Sequence, residues 1–114
     1  MDEFKARTIA LKYLRKLISL GIPVYRGVIF GSHAQGKANA WSDIDLLVIS
    51  PIFDAPRTRE DLNILWRIAA DENPIIEPVP CGKTEWKTGQ ESAILETARR
   101  HGLEIDPAND VAFV

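Results

Sequence analysis

Apolar residues recur at helical spacing between residues 2 and 20. Ala10, Leu11, Leu14, Leu17 and Ile18 share one broad face, while Lys5, Arg7, Lys12, Arg15 and Lys16 fall mostly elsewhere. The spacing predicts an amphipathic helix with a solvated basic face, stopped by Gly21 and Pro23. The pattern then changes. Residues 24–30, VYRGVIF, are β-branched and aromatic, as a strand is, and Gly31 and Ser32 end it. Residues 45–50, DLLVIS, form a continuous apolar run, which predicts a strand buried on both faces. Pro51 and Pro56 mark a loop. Helical spacing returns over 61–70, with Leu62, Leu65, Trp66 and Ala69 inward, until Asn73-Pro74 ends it. Residues 75–79, IIEPV, read as a third strand. Prolines at 74, 78 and 80 make it an edge strand or one irregular at its end. A helix over 90–101 follows. Arg99, Arg100 and His101 suit its negative end and Gly102 suits its cap. LEID, 103–106, is a last short strand.

Helix, strand, strand, helix, strand, helix and a final strand predict an α/β (α+β) fold, a small mixed sheet with helices packed on it. Only a short stretch separates the first two strands, too little for a crossover helix. It predicts an antiparallel or mixed pairing around a helical turn in SHAQG.

The chain has 114 residues, the size of one ordinary domain, 1–114. Apolar content of 46% against 26% charged places it with globular proteins. A formal net charge of -2 argues against stable nucleic acid binding, which favours basic chains. The single cysteine, Cys81, rules out a disulfide framework and suits a cytoplasmic location. The N-terminal stretch is charged throughout, unlike a signal peptide, and no apolar run is long enough for a membrane helix.

Charge patterning changes the picture most at the second strand. Asp43 and Asp45 stand two residues apart at its mouth, so both carboxylates point to one side while Ile44 turns into the core. Paired carboxylates repel and lose hydration beside an apolar strand, but they suit a hard cation such as magnesium. Upstream, Gly31 admits close backbone approach and Ser32 adds a hydroxyl, the makings of a phosphate cradle. Phosphoryl transfer needs such a cradle opposite a metal site. Glu77, an acid inside the apolar strand IIEPV, is the candidate third carboxylate, with Asp61 and Glu85 next in line. Asp54, Glu60, Asp61 and Asp71 read as solvated or capping charges. Cys81 reads as a small inert residue, His33 as a loop histidine, and Trp41, Trp66 and Trp86 as core or half-buried.

Gly31-Ser32, ten intervening residues, then Asp43-Ile44-Asp45-Leu46-Leu47-Val48 resembles the signature of the nucleotidyltransferase superfamily that includes DNA polymerase beta. Within it, the chain is most similar to the minimal nucleotidyltransferases, often encoded beside HEPN-domain partners in bacteria and archaea. The resemblance implies a polymerase beta palm-like fold. It also implies a magnesium-dependent transfer of a nucleoside monophosphate, AMP from ATP or another nucleoside triphosphate. By this resemblance Gly31 and Ser32 hold the triphosphate with Asp43 and Asp45. Asp43, Asp45 and Glu77 bind two Mg2+ ions, with Mn2+ as a substitute, and Glu77 helps deprotonate the attacking hydroxyl. Where many members have an arginine this chain has Gln35, with Lys37 and Arg57 the candidates to supply its charge. The implied acceptor is a tyrosine of a HEPN-domain toxin, with this chain as antitoxin. Two alternatives stand beside it: a binding antitoxin without catalysis, and a small-molecule nucleotidyltransferase working as a homo-oligomer, specifically a homodimer.

Overall fold

The computed structural model describes residues 2–31, 43–56, 58–89 and 92–111. Helix α1 (Glu3–Ser19) starts at Asp2, whose carboxylate accepts the Lys5 N–H at 2.8 Å. It ends as Gly21 and Pro23 predict. Gly21 takes φ 90°, and the Gly21 and Ile22 N–H groups close back on Ile18 and Leu17. Strands β1 (Arg26–Phe30) and β2 (Ile44–Ser50) pair antiparallel. A 3-10 turn (Pro51–Asp54) leads to α2 (Arg59–Glu72). Strand β3 (Ile76–Gly82) pairs parallel with β2 and runs into a short helix α3 (Lys83–Thr88) that the apolar pattern does not announce. Helix α4 (Ala93–His101) and β4 (Leu103–Ile105) close the fold, giving a mixed sheet of order β3-β2-β1-β4. The expected turn in SHAQG lies outside the described residues.

The sheet separates two apolar layers. Ile29, Ile44, Leu46, Val48 and Ile76 face α1 and α2, where Ala10, Leu14, Leu17, Leu65 and Ala69 are buried with them. Val28, Leu47, Ile49 and Cys81 face the other way, onto Leu95 and Ala98 of α4. Strand β2 is therefore buried on both faces, as its unbroken apolar run predicts. Tyr13 ties the first layer together, its hydroxyl donating to the Leu65 carbonyl at 2.9 Å. Burial pushes that phenol above its ordinary range.

Some expectations are corrected. Ile18 is exposed, and Tyr13 and Ala6 fill the buried face of α1 instead. Leu62 and Trp66 point outward, 39% and 44% exposed, because α2 turns Leu65, Ile68 and Ala69 to the core instead. Helix α2 begins earlier than its apolar pattern, in a capping box where the Asp61 carboxylate accepts the Thr58 N–H and the Thr58 hydroxyl accepts the Asp61 N–H. Gly102 does end α4, but with φ -72°. Its need for glycine is space, since a Cβ would strike the Ala98 carbonyl and Val28.

Strand β3 is an edge, and it continues through both prolines. The ladder opens with Ile44 N–H donating to the Ile75 carbonyl. In a parallel pair this turns residues 77, 79 and 81 toward β2 and residues 76, 78, 80 and 82 outward. Pro78 and Pro80 thus lose only outward N–H groups. The remaining two are taken, Ile76 N–H by the Asn73 carbonyl and Gly82 N–H by the Glu85 carboxylate, both at 3.1 Å. The edge offers no free donor to an added strand, a device against edge-to-edge pairing.

Candidate active site

Asp43 immediately precedes β2, and Asp45 is its second residue. Ile44 between them is fully buried in the α1/α2 layer, so both carboxylates emerge on the α4 side of the sheet. The parallel register then decides the third acid. Asp45 pairs with Glu77, and neighbouring paired residues share a face, so Glu77 stands beside the two aspartates. On the other flank Phe30 of β1 pairs with Asp45, and Gly31 follows it with φ 75°. A Cβ at Gly31 would collide with the Asp45 carboxylate. Glycine is needed there twice, for its backbone angle and for its lack of a side chain.

The four groups gather at the beginnings of β2 and β3. Ligands of wholly parallel sheets usually sit at the opposite, carboxyl ends. Here β1 runs antiparallel, so its own carboxyl end delivers Gly31 to the place where the parallel pair starts.

Electrostatics follow from this crowding. The Glu77 pKa is pushed up to about 7, first by its hydrogen bond with Asp43, then by loss of hydration, then by its hydrogen bond with Asp45 and the charges of both aspartates. Three carboxylates sharing one small volume cannot all be ionised without a counter-charge, and Glu77 meets this by holding a proton. As they stand, the carboxyl groups hydrogen-bond to one another. Among the described residues, no cluster of three or more His, Cys, Asp or Glu side chains is set out around a metal position. Their chemistry still fits magnesium, because all are hard oxygen donors and a cation relieves the same repulsion as the proton.

Of the residues singled out in the sequence, Gly31, Asp43, Asp45 and Glu77 come together. Ser32, His33, Gln35, Lys37, Trp41 and Arg57 lie outside the described residues. Asp61 is spent on its capping box and Glu85 accepts from Gly82 N–H, so neither is near the aspartates' register. Asp54 accepts from the Thr84 N–H at 2.8 Å and from its hydroxyl at 3.1 Å. Cys81 is buried, as expected for an inert thiol. Half-buried Phe30 beside Asp45 went unnoticed in the sequence, because only the β1–β2 register brings it there.

The profile of the nucleotidyltransferase domain family matches residues 9–101, most of the chain and a span that includes these four residues. The chain belongs to the nucleotidyltransferase domain family. Such domains transfer nucleoside monophosphates from a nucleotide substrate and generally use divalent metal ions. The fold agrees. A crystal structure from Sulfolobus solfataricus, of a protein whose own assignment as a nucleotidyltransferase is provisional, superposes with a TM-score of 0.60. The match covers 74% of this chain and 73% of that one at 18% identity, so it speaks for the fold alone. No curated protein sequence matches this nucleotidyltransferase domain. Among its described residues no helix is long and apolar enough to cross a membrane.

Proposed function

We propose that this nucleotidyltransferase domain transfers AMP from ATP to a tyrosine hydroxyl of a HEPN-domain toxin, acting as its cytoplasmic antitoxin. The observation that carries the reading is the crowding of Asp43, Asp45 and Glu77 side by side on one face, next to Gly31. Asp43, Asp45 and Glu77 would hold magnesium, or manganese in its place. Bound there, the metal supplies positive charge to the triphosphate and to the oxygen that attacks it. Gly31, with Ser32, would let the triphosphate approach the backbone. Glu77, beside the two aspartates, would be placed to take the proton of the attacking hydroxyl once metal relieves the crowding that protonates it. Strand pairing on both sides holds Asp45 rigid, so the acids need little reorganisation. The acceptor rests on the resemblance of the sequence to minimal nucleotidyltransferases.

The test uses ATP labelled in its α-phosphate, magnesium, and the HEPN-domain protein co-expressed with this chain. Label should enter a tyrosine of the HEPN-domain protein and should be absent with Asp43→Asn. Silencing of that protein without label would point to antitoxin action by contact alone. Label on a small molecule would instead overturn the protein acceptor.

A further inference from the structure

The α4 side of the sheet has two chemically opposite ends. Asp43, Asp45 and Glu77 stand at the Phe30 end of β1. At the other end, about 17 Å away by strand rise, stands Tyr25, packed against the same apolar layer. Three cations crowd its ring. The Arg26 guanidinium lies 4.5 Å from the ring centroid, the Lys83 ammonium 4.7 Å and the Lys87 ammonium 4.9 Å. Next to them Arg99 stacks on Trp86 at 4.2 Å. Arg26 pairs with Glu104 and Asp106, but no ion pair among the described residues uses Lys83 or Lys87. These lysines are four apart on one short helix, a spacing at which like charges repel. An aromatic ring offsets that repulsion only in part. Two lysines held together in an acidic chain, with no carboxylate paired to them among the described residues, leave room for an anion from outside.

We propose that Lys83 and Lys87, braced on Tyr25, form a docking surface for an acidic polypeptide segment of a partner protein. The spacing suits carboxylates about one helical turn apart. Single-stranded nucleic acid fits less well. It needs open aromatic faces for its bases, and here cations occupy the faces of both rings. A longer strand would also run toward the carboxylates at the far end of the same sheet face. The surface is independent of the transfer chemistry, since none of its residues touches Asp43, Asp45 or Glu77.

The test is fluorescence anisotropy of the full chain with a labelled oligo-glutamate peptide and, separately, a labelled oligo-uridine RNA of equal charge. The peptide should bind saturably at low salt and weaken as salt rises from about 50 to about 200 mM. The double variant Lys83→Glu/Lys87→Glu should weaken it at least about tenfold, and Lys83→Gln/Lys87→Gln should weaken it less. Lys5→Glu/Lys12→Glu changes the net charge equally on exposed positions of α1 and should shift affinity by less than about twofold. Thermal unfolding of each variant confirms that it is folded. No saturable peptide binding, equal losses from both charge-reversed pairs, or tighter binding of the RNA would each overturn the proposal.

Discussion

The parallel pair β2 and β3 carries acids at both ends, and the two ends use them differently. Past the carboxyl ends, Asp54 accepts two hydrogen bonds from Thr84 and Glu85 accepts from Gly82 N–H. These acids neutralise donors that the start of a helix leaves unpaired, a structural use of negative charge. At the amino ends, Asp43, Asp45 and Glu77 face one another, and Glu77 keeps a proton to do so. Acids satisfied by backbone donors stabilise the fold. Acids pressed together destabilise it until something positive arrives, and that is the condition of a ligand site.

Asp43→Asn and Asp45→Asn should break this contrast most severely. Transfer should fall by roughly a thousandfold or more, measured as turnover on the labelled acceptor, while the fold persists. The thermal midpoint without metal should hold or rise, because carboxylate repulsion is reduced. Unfolding of these variants would place the aspartates with the structural acids instead.

Glu77→Gln should also lower turnover by orders of magnitude, with a smaller change in ATP affinity. It carries a pH signature as well. The folded chain holds the Glu77 proton up to about 7, against 4.5 for an ordinary glutamate. Native protein therefore binds more protons than unfolded protein between those values. Metal-free stability should be greatest below the lower value and decline as pH rises through the higher one. Chemical unfolding across that window should show the decline in the parent and a flatter profile in Glu77→Gln.

Ligand should sharpen the contrast next. Magnesium with ATP at about a hundred times Kd should add roughly 2.7 kcal/mol, read as a rise in thermal midpoint. ATP alone should add much less, since the carboxylates repel a triphosphate. Gly31→Ala is smaller in stability, about 1–2 kcal/mol for its positive φ, and should reduce turnover too by displacing the Asp45 carboxylate. The smallest effect belongs to the structural end. Asp54→Ala should cost about 1 kcal/mol through its lost contacts with Thr84 and leave turnover within about twofold.

Much of this was legible in the chain. The double burial of β2 follows from its unbroken apolar run. The pairing of Asp43 with Asp45 follows from strand alternation, because both are local properties of extended backbone. Helix ends at Gly21 and Asn73 were legible for the same reason. Less visible were α3, too short to show a period, and the outward turn of Trp66 and Leu62. Helical spacing gives a stripe, but the width of the contact with the sheet determines how much of the stripe is covered.

By itself, then, the sequence determined which residues are extended, which are helical, and that two aspartates share a side. It determined these because φ/ψ preference, capping and side-chain alternation act over a few residues. Tertiary structure alone decided that Glu77 joins Asp45, that Gly31 must lack a side chain, and that Tyr25 gathers cations from β1 and α3. Those outcomes depend on strand register and helix placement. They are set by how whole layers pack, and the residues concerned lie too far apart in the chain to report it locally.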